Sequence, residues 1–521
     1  MTWKLGELPK ALPPLRRRQV LTGMAGGAAL AILPRSALSQ GGKVLKIRGN
    51  ANPSSLDPAT GGAGSDHVYL YNFYDTLVDW EAGTLTPKPG LATAWKFEDP
   101  TTLVLTLQEG VSFHDGTPFN AAAVKFNLDR NRMAGISNIK QDVASISEVE
   151  ATDDLTVTIR LAAPDTALPL ILSDRAGMMV SPEALGNDPE ANMDRGPVGT
   201  GPWQFGTWTD GEKITGTRFA DHWRNGIPGV DGIEILVIPE TATGLRAVQS
   251  GQVNIAYQLS ENQQPLIDRM PNLELVSGPT LYIYQLYVNS SRGPLQDPRV
   301  RKALSMAIDR EAYVNATQAG IGEPAYMNLP KAHWAWSEEV AKLTVYDPEQ
   351  ARSLLEEAGF ADGLDLDLRG YPDQASVQRQ EVILAQWAKI GVTGRFQNAP
   401  IAEASGRFFG EEKLGDLLLS AWTGRPDPSL TYALMYSEDS YYNPGRVAPP
   451  EGYMEALQAS RETDDQAERV AALATAQKLA MEAQLCIPLS VRYEVDAIDS
   501  SVRNFNANLL GKPKFRDVTL G

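Results

Sequence analysis

The chain has 521 residues, 43% of them hydrophobic and 21% charged, which is enough for two or more lobes with cores of their own and inconsistent with wholesale disorder. Its formal charge of −17, with no basic stripe in the body, excludes a nucleic-acid binder, since clustered Lys and Arg are needed to release counterions from phosphates. A single cysteine, Cys486, excludes a disulfide framework and a thiolate metal cluster.

Arg16-Arg17-Arg18-Gln19-Val20-Leu21 leads into an uncharged stretch, residues 20–33, rich in Ala and Gly, and Ala37-Leu38-Ser39 precedes Gln40. A charged start, a short apolar run and small residues predict a removable export signal over residues 1–39, too short to span a bilayer. The paired arginines followed by x-Val-Leu resemble a twin-arginine signal, with Val20 where that motif carries Phe; a general secretory signal is the alternative. Residues 1–39 hold six basic residues against Glu7, so cleavage takes the formal charge from −17 to −22. No cysteine stands at the cleavage point and no later apolar stretch has membrane length, so the expected mature chain is soluble, periplasmic and not inserted in the membrane.

Val44-Leu45-Lys46-Ile47-Arg48 alternates as a strand and breaks at Asn50-Ala51-Asn52-Pro53. Residues 103–113 predict a strand running into the polar turn 114–118, a helix resumes at Ala121, and residues 155–161 alternate strictly as a half-buried strand. Residues 206–213 superficially match a phosphate loop, but Glu212 stands where the lysine must follow glycine, so a hairpin turn is expected. Strand, helix and strand over 232–239, 241–250 and 251–256 suggest a crossover unit in a mixed sheet. Asp297-Pro298 and Asp347-Pro348 each put an N-capping Asp before a proline at the first helical position, and a third amphipathic helix is expected over 378–390. Asp416-Leu417-Leu418-Leu419-Ser420 reads as a buried strand, followed by AWTGRPDP, whose glycine and prolines forbid a helix.

Catalytic chemistry is not visible. The histidines His67, His114, His222 and His333 stand at no metal-ligand spacing, there is no Gly-x-Ser-x-Gly elbow, and no Gly-x-Gly-x-x-Gly joins a strand to a helix. Cys486 lies in an apolar run and reads as a small buried hydrophobe. No catalytic residue, metal ligand or cofactor is expected; a glycosidase-like pair of carboxylates remains possible in space, because sequence spacing cannot identify one.

Five stretches in order, over roughly residues 44 to 510, resemble the peptide/nickel class (family 5) of ABC-transporter solute-binding proteins. They are Ser55-Leu56-Asp57-Pro58; Leu105 through Gly116; Gly199-Thr200-Gly201-Pro202-Trp203; Asn289 with Pro294 through Leu304; and Tyr346 through Ala351 with Ala358-Gly359-Phe360. The resemblance implies an α/β fold of two lobes with mixed sheets, a hinge between them and an additional inserted subdomain. Residues 40–55, 195–280 and 490–521 would form lobe I, residues 56–194 the subdomain inserted in it, and residues 281–489 lobe II. It further implies a non-enzymatic, monomeric periplasmic receptor that encloses a small-molecule solute and passes it to an inner-membrane ABC permease complex.

The cleft candidates follow from that resemblance. Asn52 succeeds the first strand, where the family meets its ligand. Tyr282 and Tyr284 lie on a strand expected to cross between lobes, on one face with Tyr287 on the other, and either meet the ligand or pack under the subdomain. In peptide-binding relatives, Trp-x-x-Asp supplies an aspartate for the peptide's amino terminus. Here Trp422-Thr423-Gly424 is followed by Arg425, so the sign is reversed and a carboxylate is favoured, with Trp422 as an apolar wall and Thr423 beside it. The alternative is a local ion pair from Arg425 to Asp427. Small peptides, opine-like conjugates and other carboxylated compounds all fit. A nickel-chelate or haem carrier of the same fold, a secreted hydrolase and a chemoreceptor adaptor stand as further alternatives.

Overall fold

Leu45 and Ile47 are the buried positions that make Val44–Gly49 a central strand, and it runs parallel to Gly232–Val237 on one side and Ile255–Ala256 on the other. The intervening helix Thr241–Gln249 completes the expected crossover unit. These coordinates are a computed structural model that describes residues 42–61 and 63–521; the export-signal reading of residues 1–39 lies outside the described residues. Alternation alone would not bury Arg48, yet it is fully buried. Its guanidinium donates to the carbonyls of Ile238, Pro239, Tyr257 and Gln258 at 2.6–2.9 Å, tying together the loops that follow both neighbouring strands.

An eleven-stranded mixed sheet runs through the molecule. Its order is Val392–Asn398, Leu364–Gly370, Leu417–Trp422, Leu273–Val288, Cys486–Asp499, Ile255–Ala256, Val44–Gly49, Gly232–Val237, Lys213–Arg218 and Trp203–Thr209, with Glu323–Pro324 paired to Cys486–Asp499. The last two strands of that order form the expected hairpin, with Gly211 in the left-handed region at φ 70° in its turn. At one end of the sheet, Leu45, Ile47, Trp203, Ile233 and Ile235 share a core. At the other end both faces are covered: Leu417 and Leu419 join Leu366, Leu368 and Trp387, while Leu418 joins Trp422, Tyr432 and Tyr453. A separate antiparallel sheet, Ala92–Asp99, Thr102–Leu107, Thr156–Leu161 and Ile146–Ala151, packs with the helix Ala121–Met133 around its own core.

The Asp-Pro caps behave as expected. Asp297 accepts from the Arg299 amide and Asp347 from the Gln350 amide, each opening a helix at the following proline. The third helix is Gln374–Trp387, capped by Asp373. Cys486 is buried, and burial pushes its thiol up to about 11, as befits an inert core residue. Among the described residues no helix is long and apolar enough to cross a membrane.

The two ends of the large sheet are joined by two long antiparallel strands, Leu273–Val288 and Cys486–Asp499. Their register shifts twice, between Pro279 and Ile283 and between Tyr284 and Gln285. Glu494, 3% exposed on the second of them, has no hydrogen-bond partner for either carboxylate oxygen among the described residues. Burial pushes its carboxyl up to about 7 against the opposing Arg492 guanidinium, whose Nη2 is 3.9 Å away. The folded protein therefore keeps a proton that an unfolded glutamate, near 4.5, releases, so this group's contribution is fully present below pH 4.5 and is lost as pH rises toward 7. Glu494→Gln is expected to raise the melting temperature relative to wild type at pH 8 and to leave it nearly unchanged at pH 5. Equal effects at both pH values, read by thermal unfolding, would contradict this titration.

Candidate functional site

Arg425 is fixed by the elements on either side of it. The strand Leu417–Trp422 ends one residue before Thr423, and the helix Pro428–Tyr436 begins three residues after Arg425. Gly424 takes φ 71°, and a Cβ there would stand 2.2 Å from the Leu281 Cβ, so only glycine lets the loop lie this close to the crossing strand. Asp427 is fully buried and caps the helix, accepting from the Ser429 amide at 2.9 Å, and it pairs with Arg469 at 2.7 Å. The local Arg425–Asp427 pair is thus replaced by a different one. Arg425 donates to the carbonyl of Gly424 at 2.9 Å, and its guanidinium carbon sits 5.1 Å from the Trp422 ring centroid.

Beside this loop lies a cavity of about 540 Å³. Tyr282, Thr423 and Arg425 line it, together with Asp142, Arg175 and Lys512 on one side and Tyr287, Phe409, Tyr441 and Tyr442 on the other. Trp422, 2% exposed, stands behind Arg425, with its indole N–H donating to the Thr431 hydroxyl at 3.3 Å and its ring against the edge of Tyr442. The expected separation of Tyr287 from Tyr282 does not hold: both reach the cavity, because the register shifts break the two-residue period of the strand. Tyr284 instead faces Arg379, whose guanidinium carbon is 3.9 Å from its ring centroid. Asn52 is exposed and is placed elsewhere: its carbonyl oxygen accepts from the Trp208 indole at 3.2 Å and the Gly211 amide at 3.1 Å, holding the hairpin turn.

Several lining residues carry charges already matched. Arg175 donates to Asp66 at 2.9 Å and to the carbonyls of Gly61 and Ala63. Lys512 pairs with Asp174, which also contacts His67 at 2.6 Å. Burial opposes the charge on Asp174, but Lys512 and His67 hold its carboxyl well below the usual range, so it is ionised. Burial, with Lys512 next, pulls the His67 imidazole down to about 4 against Asp174, and its two ring nitrogens lie against the Gly64 carbonyl at 3.0 Å and Asp174 at 2.6 Å. The aromatic side is a continuous wall: Tyr287 and Phe409 meet edge to face at 4.9 Å, and Phe409 contacts Tyr441 at 5.4 Å and Tyr442 at 5.5 Å. Tyr371 donates or accepts at the Ser420 hydroxyl, 2.8 Å away, adding a polar point between the two sides.

A second cavity, about 450 Å³, lies between Trp95 and Phe97 of the four-stranded sheet and Trp334. Its guanidinium, Arg469, is spent on Asp427, so the first cavity offers the stronger recognition chemistry. Asp142, Arg175, His67 and Lys512 were not identified from the sequence. They come from chain segments up to several hundred residues apart, and none carries a local signal.

The family model for bacterial extracellular solute-binding proteins, family 5 Middle, matches residues 86–443. The glutathione-binding protein GsiB of Salmonella typhimurium is 30% identical over 496 residues, covering 92% of this chain and 94% of that protein. Among solved structures, the periplasmic binding protein DppA of Helicobacter pylori in complex with the peptide STSA superposes with a TM-score of 0.81 at 24% identity, covering 92% of this chain and 98% of that one. AgaA of Agrobacterium tumefaciens R10 in complex with agropinic acid gives 0.80 at 23%, covering 92% and 99%. The fold these structures share is the α/β, two-lobed periplasmic-binding architecture with mixed sheets. The chain belongs to the bacterial extracellular solute-binding proteins of family 5, the substrate-binding components of ABC importers.

Proposed function

We propose that this protein is a periplasmic receptor that encloses a small carboxylate-bearing, peptide-like solute between two lobes, anchors it on Arg425, and delivers it unchanged to an inner-membrane ABC permease complex. The observation that carries the reading is Arg425 itself, a guanidinium on a cavity of about 540 Å³ with no carboxylate in ion-pair distance among the described residues. Its planar fork suits a carboxylate bidentately, and in a partly enclosed site such a pair decides which solute is accepted. The volume is that of a site for one small molecule. Glutathione, agropinic acid and a peptide, the molecules in the relatives' names, all bear carboxylates. The lobes of this reading are residues 40–55, 195–280 and 490–521 with the inserted 56–194, and residues 281–489. A receptor of this kind acts as a monomer and needs no cofactor. Tyr282 and Thr423 complete the cleft contacts, with Trp422 supporting the guanidinium from behind and Asn52 and Tyr284 outside the lining.

Thermal unfolding of the purified protein tests the reading with a panel of peptides, glutathione, opines, dicarboxylates and metal chelates, beside neutral sugars and simple amines. A solute at about a hundred times its dissociation constant adds roughly 2.7 kcal/mol to stability. Stabilisation confined to carboxylated compounds, each recovered intact by mass spectrometry, is the expected result. Stabilisation by neutral compounds alone would sink the reading, and consumption of the bound compound would establish a hydrolase in its place.

A further inference from the structure

Of the charged side chains on the cavity, two have no counter-ion among the described residues. Arg175 and Lys512 are satisfied by Asp66 and Asp174. The remaining cation is Arg425, and the remaining anion is Asp142, on the short turn of helix Lys140–Val143. Asp142 makes no side-chain hydrogen bond or ion pair among the described residues, so its carboxylate and the guanidinium stand more than 4.0 Å apart. They still feel one another: burial raises the Asp142 carboxyl above the usual range, and Arg425 is the leading influence in the opposite direction. An anion and a cation facing one cavity without touching leave room for a molecule that carries both charges. Ile401 and Tyr441, 65% and 46% exposed, line the same cavity and offer a wall for an apolar body.

We infer that Asp142 is a specificity-determining residue that receives the protonated amine of the solute, which makes the solute a zwitterion with its carboxylate on Arg425, its amine on Asp142 and an apolar or aromatic part against Ile401 and Tyr441. This rests on the reading of Arg425 as the carboxylate anchor. The physical reason for an amine is that a carboxylate removed from water without donors is costly, and an ammonium supplies both the donors and the compensating charge. The same carboxylate repels an acid group placed where the amine would sit, so dicarboxylates that lack an amine are discriminated against by the residue that favours amines.

Matched pairs of compounds that differ only in the amine provide the test. They are Leu-Phe, γ-glutamyl-phenylalanine and glutathione, each beside its desamino form, titrated by calorimetry into wild type, Asp142→Asn and Arg425→Ala. The expected result is that wild type prefers the amine form of a pair it binds by about tenfold or more, that Asp142→Asn binds both forms alike, and that Arg425→Ala loses both. Amine and desamino forms binding wild type within about twofold, with both lost in Arg425→Ala, would overturn the role of Asp142 and leave the proposed function standing. A preference for the amine that survives in Asp142→Asn would overturn it as well. If no carboxylated probe binds wild type, the proposed function falls and this inference with it. Because Asp142 has no internal partner, unliganded Asp142→Asn should melt at or above the wild-type temperature; a large drop would show a structural role and count against the inference.

Discussion

Replacing Arg425 with alanine is expected to weaken binding of any carboxylated solute accepted by the wild type by about 2–4 kcal/mol, roughly thirtyfold to a thousandfold. The magnitude follows from leaving a desolvated carboxylate in the cavity with no guanidinium to meet it, while Arg175 and Lys512 are already held by Asp66 and Asp174. The unliganded protein should scarcely notice, because among the described residues Arg425 makes one hydrogen bond, to the Gly424 carbonyl, and one cation–π contact, with Trp422. Such a contact is worth about 0.5–1 kcal/mol where it is partly exposed. Arg425→Lys should fall between, since an ammonium keeps the charge and loses the planar fork. Calorimetry checks both variants, and a carboxylated solute that binds Arg425→Ala within about threefold of wild type would remove Arg425 from the recognition chemistry.

Asp57→Ala is expected to cost about 3–5 kcal/mol of stability, because it strands a buried guanidinium. Asp57 and Arg130 are 0% and 2% exposed and pair through both oxygens, at 3.0 and 2.7 Å. The carboxylate also accepts from the Ala59 and Met193 amides at 2.9 Å, so one side chain joins the segment after the first strand, the helix Ala121–Met133 and the loop near Met193. Replacing both partners with apolar residues of similar volume, Asp57→Leu with Arg130→Met, should cost less than the single change, since no charge is then stranded. Urea unfolding followed by fluorescence gives the comparison. A loss below about 1 kcal/mol in Asp57→Ala would show that the cavity hydrates and the pair is dispensable.

What was readable in the sequence was whatever rests on neighbouring residues. Strand signals stood at 44–48, 103–113 and 155–161, where the structure has strands over 44–49, 102–107 and 156–161, the second shorter than expected because it ends at Leu107; Asp before Pro gave two helix starts to the residue. The same signal stands at Asp427-Pro428, where it also opens a helix, next to a glycine and a proline that mark the loop before it. Recognising that cap would have shown that Asp427 was engaged and Arg425 available. Asn52 illustrates the opposite limit: its place after the first strand was legible, but the hairpin that claims its side chain begins some 150 residues later. The face of Tyr287 depends on irregularities in pairing with a strand about 200 residues away, and Asp142 comes to share a cavity with Arg425 only through the packing of separate segments. Period-two and capping rules contain neither.

The two long strands that join the ends of the large sheet are bonded to each other, so neither half can slide past the other without breaking a shared ladder. That ladder is interrupted around residues 279–285 and 488–493. Tyr282 belongs to that strip and also lines the cavity. In the proposed receptor, whose lobes close about a hinge, a solute held there would sit beside the interrupted stretch of the ladder that joins the two ends of the sheet.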